Sequence, residues 1–492
     1  NSNMNNYELL KRNYTMMTDG YEFTMSYGYF KNNKKDEEAV FDVFFRKVPN
    51  NGGYAIMAGL NKVISYIQNL KFSKEDLEYF KDNGYDKDFI NYLENFKFTG
   101  NIYAIPDGTP VFPNEPLITV KANVIEAQII ETCLLSIING AMEHATAARR
   151  IIESTPKEVG VMEFGARRAD GPEAAIDSSI YGVMAGCVGT SNVIAAKMLG
   201  MNAMGTMAHS YVESFDNEFD AFLTYATTYP DNAILLVDTY DTLRSGVINA
   251  IKVFDYMKEN NISTNNIGIR IDSGDLSYLS KEARKMLDNA GYTNAKILLS
   301  NGLTAETIES LVREGAKFDS LGVGDNISKP QGRMGCVYKE VAITENGTLT
   351  PKIKLSNDTL KIVNPGYKKL YRLYDKVTGY ALADVISEYN KALPNNNLTI
   401  VCINDITKKT IINDFELVEL QKPIFINGKL VYNDPNILEK REYCNNEMSK
   451  IYPEIKRIVN PHLYYVDGTL EYTMFRNNMI SDVRENVRKL KK

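Results

Sequence analysis

From residue 160 onward the chain alternates short apolar strands with amphipathic helical stretches, and this alternation restricts its central part to a parallel α/β sheet. Strand patterns recur at 159–162, 203–205, 233–237, 267–271, 296–299, 320–323 and 335–342, with helical patterns at 246–260, 280–289 and 305–314. About seven such strands favour a TIM-like (β/α) barrel over an open sheet, and in such barrels reactive groups stand where strands end. The residues that follow these strands are Phe164 and Arg167, His209, Asp238 and Asp241, Asp272 and Asp275, Asn301 and Gly302, then Gly322 and Gly324. One face is expected to collect the chemistry.

The flanking segments divide the rest. Residues 4–125 mix a helical start with strands at 40–45 and 116–120, which predicts an α+β domain. The barrel domain spans 126–343, entered through an apolar helix at 126–139 and a small-residue connector at 144–150. Residues 344–492 carry turn signals at Asn346-Gly347, Pro365-Gly366 and Asn427-Gly428 and a strand pattern at 398–403, which predicts a β-rich segment that packs back on the first domain. Asn1-Ser2-Asn3 ahead of Met4 read as the remnant of a cleaved tag, with Met4 as the expected start.

Composition removes several functions. Against 62 acidic residues there are 56 basic ones, so no general positive field exists to grip nucleic acid or an anionic membrane. No apolar run is long enough to span a bilayer, and there is no charged-then-apolar leader, so the expectation is a soluble, cytoplasmic protein. Five cysteines, odd in number and without a Cys-x-x-Cys pair, fit free thiols in a reducing compartment and give no zinc or redox site. Histidine occurs three times in 492 residues, which makes Gly205-Thr206-Met207-Ala208-His209-Ser210, at a predicted strand end, a candidate active-site segment.

Several blocks carry a resemblance. They are Met16-Met17-Thr18-Asp19-Gly20-Tyr21-Glu22-Phe23, Phe44-Phe45-Arg46 with Gly52-Gly53-Tyr54, Glu163-Phe164-Gly165-Ala166-Arg167-Arg168, Gly189-Thr190-Ser191-Asn192, the His209 block, Ile269-Arg270-Ile271-Asp272-Ser273-Gly274-Asp275, Gly335-Cys336-Val337-Tyr338-Lys339 and Asn460-Pro461-His462. In order and spacing, over nearly the whole chain, they resemble nicotinate phosphoribosyltransferases. The resemblance implies a type II phosphoribosyltransferase fold. It also implies the joining of nicotinate to phosphoribosyl pyrophosphate, giving nicotinate mononucleotide and pyrophosphate while ATP is hydrolysed, the first step of NAD salvage from nicotinate.

That reaction sets chemical demands. Loss of pyrophosphate from the ribose leaves cationic character on the sugar and negative charge on the leaving group, so a site must hold polyanions and position a weak pyridine nucleophile. The family pattern places Tyr21 and Phe164 on the two faces of the pyridine, Tyr21 coming from a neighbouring subunit of a homodimer with shared active sites; without it, both rings are equally well core residues. It carries over Arg167, Arg270 and the Thr206 hydroxyl as contacts of the nicotinate carboxylate. Ser191 stands where nicotinamide-using relatives have Asp, and an uncharged residue there suits an anionic base; a helix-start role is compatible.

Glycine turns supply backbone donors for phosphate, which points to Asn301-Gly302 and to Gly322 and Gly324 for the 5-phosphate. The chain departs from the family at Asp325, where a hydroxylated residue usually follows Gly-x-Gly and where a carboxylate turned inward would repel phosphate. Arg46, Lys354 and Arg372 are candidates for the pyrophosphate end, with a solvated surface role as the alternative for each. Asp272 and Asp275 offer hard oxygen ligands for Mg²⁺ and partners for the ribose hydroxyls. There is no P-loop, so ATP must be used in another way. In the family the histidine matching His209 becomes a phosphohistidine, and Asp238, at the end of the next strand, is the expected partner that fixes its tautomer. Two alternatives stand beside this reading: a nicotinamide-type or other type II phosphoribosyltransferase, and a non-catalytic nucleotide-binding relative.

Overall fold

A computed structural model describes residues 13–354 and 363–491; the expected start at Met4 lies outside them. The chain forms two compact units, one of Asn1–Glu143 with Gly332–Lys492 and one of His144–Gln331. The helix Glu131–Glu153 carries the first boundary between them.

The second unit is built on six parallel strands: β1 Gly160–Glu163, β2 Gly189–Thr190, β3 Ala233–Leu236, β4 Ile267–Ile271, β5 Lys296–Ser300 and β6 Ser320–Val323. They lie in the order β2-β1-β6-β5-β4-β3. Parallel pairing brings all the carboxyl ends to one edge, and buried Ile, Leu and Val fill the strands because helices cover them. The crossover helices start where sequence chemistry says they should. Asp275 caps Leu276–Asn289 by accepting from Tyr278 N, and Thr304 and Thr307 form a capping box for Ala305–Arg313.

A closed barrel is not formed. Among the described residues β2 and β3 are unpaired edges, so the sheet is a curled half-barrel. The strand expected at 203–205 is irregular chain: Met204 N donates to Thr190 O on one side, and Asn232, just ahead of β3, donates to Gly205 O on the other. One backbone bond gives no ladder, so the stretch bridges the gap without becoming a strand. The strand expected at 335–342 is Val337–Glu345, which belongs to the other unit and pairs antiparallel with Glu38–Phe44.

The first unit joins the two ends of the chain. Glu38–Phe44 lies between Val337–Glu345 and Ile118–Asn123, and Lys422–Ile426 pairs with Asn101–Ala104 in the same seven-stranded sheet. A second, six-stranded sheet contains Lys368–Asp375 and Ala381–Glu388. The turns at Asn346-Gly347 and Asn427-Gly428 have both residues at positive φ, as tight hairpins of right-twisted strands require. Among the described residues no helix is long and apolar enough to cross a membrane.

Arg372 is a core residue here, not a surface cation awaiting pyrophosphate. It is 0% exposed, and it faces Asp384 directly across the strand pair. Nε and Nη2 donate to the two oxygens of Asp384 at 2.7 and 2.8 Å, Nη2 also donates to Pro110 O, and the rings of Phe112 and Tyr464 flank the guanidinium. Tyr464 donates its hydroxyl to the same carboxylate at 2.7 Å. Removing one member of a buried ion pair strands the other in low dielectric, at a cost of about 3–5 kcal/mol. Arg372→Ala should therefore lower the denaturation midpoint strongly, while the Michaelis constant for phosphoribosyl pyrophosphate in the folded fraction stays at the wild-type value. An unchanged midpoint with a raised Michaelis constant would restore Arg372 to the substrate.

Candidate active site

The carboxyl edge of the parallel sheet gathers the acid–base groups. Asp238 stands two residues beyond β3, with a carboxylate only 2% exposed. The chain behind it is pressed close by Gly246, where a Cβ would sit 1.8 Å from Val237 O; glycine is the residue that lets the Thr242–Gly246 turn rest there. His209 opens the short helix His209–Glu213 directly after the irregular stretch, with 39% of its side chain exposed. Its Nε2 lies 3.0 Å from Asp238 Oδ1. A carboxylate can only accept, so Nε2 is the nitrogen that donates to it and Nδ1 is the nitrogen turned away from it. The other oxygen of Asp238 accepts from the hydroxyl of Ser273. The buried acid thus holds an accessible imidazole in one tautomer.

Beside this pair, Arg270 on β4 is fixed on several sides. Nε donates to Ser300 Oγ at 2.9 Å, Nη1 to Met207 O at 3.1 Å and to Thr206 Oγ1 at 3.5 Å, and Nη2 to Asp272 Oδ1 at 3.3 Å. Ser300 donates in turn to Asp272 Oδ1 at 2.6 Å. Arg270 and Thr206 are therefore neighbours. Ligand atoms of His209, Asp238 and Asp272 come within 4.8 Å of one another. Asp275, expected as a metal ligand, is not in this group: its carboxylate takes the Tyr278 amide at the start of the following helix.

The ends of β1, β2, β5 and β6 form the other half of the edge. Glu163 is fully buried and ties two loops: Oε1 accepts from Gly165 N and Oε2 from Thr190 Oγ1, each at 2.6 Å, while its carbonyl accepts from Ser191 N. Phe164, half-buried, lies across Gly322, where a Cβ would meet ring carbons at 2.4 and 2.5 Å. Gly322, expected in the phosphate cradle, is a glycine for that reason and sits inside β6. Arg167 is exposed in the turn Ala166–Arg168, and Ser191 is half-buried.

Asn301 and Gly302 follow β5 at φ 79 and 66, and Gly324 follows the adjacent β6. Asn326 Nδ2 donates to Leu303 O at 2.8 Å and locks these turns together, while Asp325 is exposed. Buried His144 donates Nδ1 to Ile327 O at 2.8 Å, a structural role that anchors the same turn.

The first unit contributes separate candidates. Tyr21, 49% exposed, lies in the first turn of Gly20–Lys31. Burial of its hydroxyl, with Glu131 and Glu22 nearby, pushes its pKa up to about 12, so the phenol stays protonated. Arg46 lines an open cavity of about 380 Å³ together with Lys47 and Arg333, the latter 3.0 Å from Glu143. Lys354 is exposed beside the undescribed 355–362.

Sequence reading gave no site role to Glu163, Ser273 or Asn326, and placed Ser300 in the phosphate turn rather than as the partner of Arg270 and Asp272. Only Glu163 gave a signal, a charge at the end of an apolar strand. The serines and Asn326 act through partners that are distant in sequence.

Comparisons with known proteins identify the family. Three family models match in succession: the nicotinate phosphoribosyltransferase N-terminal domain over residues 16–139, the nicotinate phosphoribosyltransferase family over 159–361 and its C-terminal domain over 367–476. A nicotinate phosphoribosyltransferase of Bacillus subtilis is 39% identical over 96% of this chain and 96% of its own. One of Caenorhabditis elegans is 33% identical over 92% and 90%. The crystal structure of human nicotinic acid phosphoribosyltransferase superposes with a TM-score of 0.82 at 26% identity, covering 94% of this chain and 99% of the human one.

Proposed function

The chain belongs to the nicotinate phosphoribosyltransferase family, and from that membership we propose that it makes nicotinate mononucleotide and pyrophosphate from nicotinate and phosphoribosyl pyrophosphate, with ATP hydrolysis coupled through His209. The product places it at the first step of NAD salvage from nicotinate. Free cysteines support a cytoplasmic location.

The observation that carries the coupling is the His209–Asp238 pair. With Nε2–H held by the acid, Nδ1 attacks the terminal phosphorus of ATP: the N–P bond forms, the P–O bond to ADP breaks and ADP leaves. The proton on Nε2 stays facing Asp238, whose charge stabilises the phosphorylated imidazolium. Water later attacks phosphorus, releasing phosphate and returning the lone pair to Nδ1. Asp272 is the residue suited to hold Mg²⁺, which would neutralise pyrophosphate charge, since it supplies a hard oxygen beside His209. Arg270, Arg167 and the Thr206 hydroxyl orient the nicotinate carboxylate, and Phe164 stacks on the pyridine. The turns at Asn301-Gly302 and Gly324 receive the 5-phosphate through backbone donors, and Arg46 meets the pyrophosphate end.

His209→Ala should abolish ATP hydrolysis yet retain slow phosphoribosyl transfer, because the imidazole does not contact the breaking C–O bond. Both activities are measured on the same preparation; an unchanged ATPase defeats the assignment.

Base choice is expected at Ser191. A carboxylate there opposes the nicotinate anion by about 1–3 kcal/mol in a partly desolvated site. Ser191→Asp should move the kcat/KM ratio toward nicotinamide, and a ratio that does not move removes Ser191 from the base pocket.

An exposed tyrosine at the expected stacking position supports a homodimer in which Tyr21 serves the neighbouring subunit's site. Tyr21→Ala and His209→Ala homodimers should each lose coupled synthesis, whereas a mixed dimer has one doubly damaged site and one intact site, giving up to about half of one wild-type dimer's activity. Native mass spectrometry confirms exchange. Confirmed heterodimers without recovered activity would rule the sharing out.

A further inference from the structure

Helix Gly20–Lys31, which carries Tyr21, buries an acid at the very next position: Glu22 is 0% exposed. Against it lie the short helix Val124–Ile129 and the start of Glu131–Glu153. Gln128 Nε2 donates to Glu22 Oε2 and to Glu131 Oε1, at 2.9 Å each. A single amide thus stands between two carboxyl groups that are themselves within hydrogen-bond reach of each other. The other oxygen, Glu22 Oε1, is buried and accepts no hydrogen bond, a costly state for an ionised group away from water.

The surrounding charges lean toward acid. Asp19, the N-cap residue of the helix, donates its N–H to Thr132 Oγ1 at 3.3 Å and accepts the Thr132 hydroxyl at 2.9 Å, which brings a third carboxylate to bear on Glu131. Tyr29 of the same helix, Tyr66 of Leu60–Gln68 and Tyr338 of Val337–Glu345 face Glu22 as phenols kept protonated by burial. Lys339 supplies positive charge, and it acts on Glu131. Burial pushes the Glu22 carboxyl up to about 7, with the Gln128 amide opposing the rise and the charge of Glu131 adding to it, and burial raises Glu131 as well. Two carboxyls this close titrate as one unit. The Tyr21 hydroxyl lies in the field of both.

We propose that Glu22 and Glu131 share one proton up to neutral pH and that this proton seats the first turn of Gly20–Lys31, which makes Glu22 a positioning residue for Tyr21. Loss of the proton sets two negative charges on one amide and pushes the turn away from Glu131–Glu153. Because the carboxyl is raised in the folded chain, its stabilisation is fully present below the ordinary value of 4.5 and is lost as pH rises through about 7. The consequence for catalysis rests on the reading of Tyr21 given above; the proton pair does not.

The test needs no turnover. The sequence has no Trp, so Tyr21→Trp places a single indole on the turn. In the full chain the anisotropy of that indole should fall as pH rises through about 7, and adding Glu22→Gln, which fixes the neutral form, should abolish the step. In chemical unfolding, Glu22→Gln alone should lower the unfolding constant relative to wild type by about ten-fold or more between about pH 5 and about pH 8. Glu131→Gln keeps the test valid if Glu22→Gln does not fold; by removing one charge of the pair it should move the anisotropy step to lower pH. No anisotropy step, a step that neither variant alters, or an unfolding constant whose ratio to wild type stays level over that range overturns the proposal. Turnover is a separate arm, in which the wild-type KM for nicotinate should rise across the same step and that of Glu22→Gln should not. A level wild-type KM beside a titrating turn upholds the proton pair and removes Tyr21 from the base, so the two readings fail distinguishably.

Discussion

The hydrogen bond from His209 Nε2 to Asp238 Oδ1 decides which imidazole nitrogen is available for chemistry, and the proposed coupling depends on that choice. An imidazole free to rotate would offer either nitrogen. Here a buried carboxylate, itself held by Ser273, takes Nε2 and leaves Nδ1 for the proposed attack. The cost of burying Asp238 is offset by accepting hydrogen bonds on both oxygens. The same principle recurs at Glu163, where one buried carboxylate pins the loops after β1 and β2 and thereby sets Phe164 and Ser191.

Placing these groups is a property of the sheet. Because β3, β4 and β5 are adjacent and parallel, Asp238, Asp272 and Ser300 arrive at one edge, although the sequence separates them by tens of residues. Loss of barrel closure does not disturb this. The irregular stretch 202–208 still delivers His209 to the neighbourhood of β3, since it is held to Thr190 and to Asn232. Such a segment needs no ladder, only a bond at each side.

How much of this the sequence revealed follows from the range of the forces involved. The strands at 233–237, 267–271, 296–299 and 320–323 are local apolar patterns bounded by turns, and they were legible. The resemblance supplied the family and the residues to weigh. A two-residue strand such as Gly189–Thr190 is too short to show a period, and 203–205 resembles a strand because it is extended and apolar. Arg372 shows the deeper limit: an arginine in a strand suggests solvent, and only the pairing register, which sets Asp384 opposite it, turns it into a core residue. Asp275 shows a similar limit, since it accepts the Tyr278 amide at its helix start, and helix capping and metal binding ask for the same residue type at a strand-to-helix turn.

The central claim is that ATP is used through Nδ1 of His209. The most direct measurement is to treat the protein with ATP alone, digest it without acid and locate phosphate by mass spectrometry, with ³¹P NMR assigning the ring nitrogen. The account predicts one added phosphate on the His209 peptide, bonded at Nδ1 and lost when nicotinate and phosphoribosyl pyrophosphate are added. An unmodified His209 in protein that hydrolyses ATP during synthesis, or phosphate at Nε2, would contradict it.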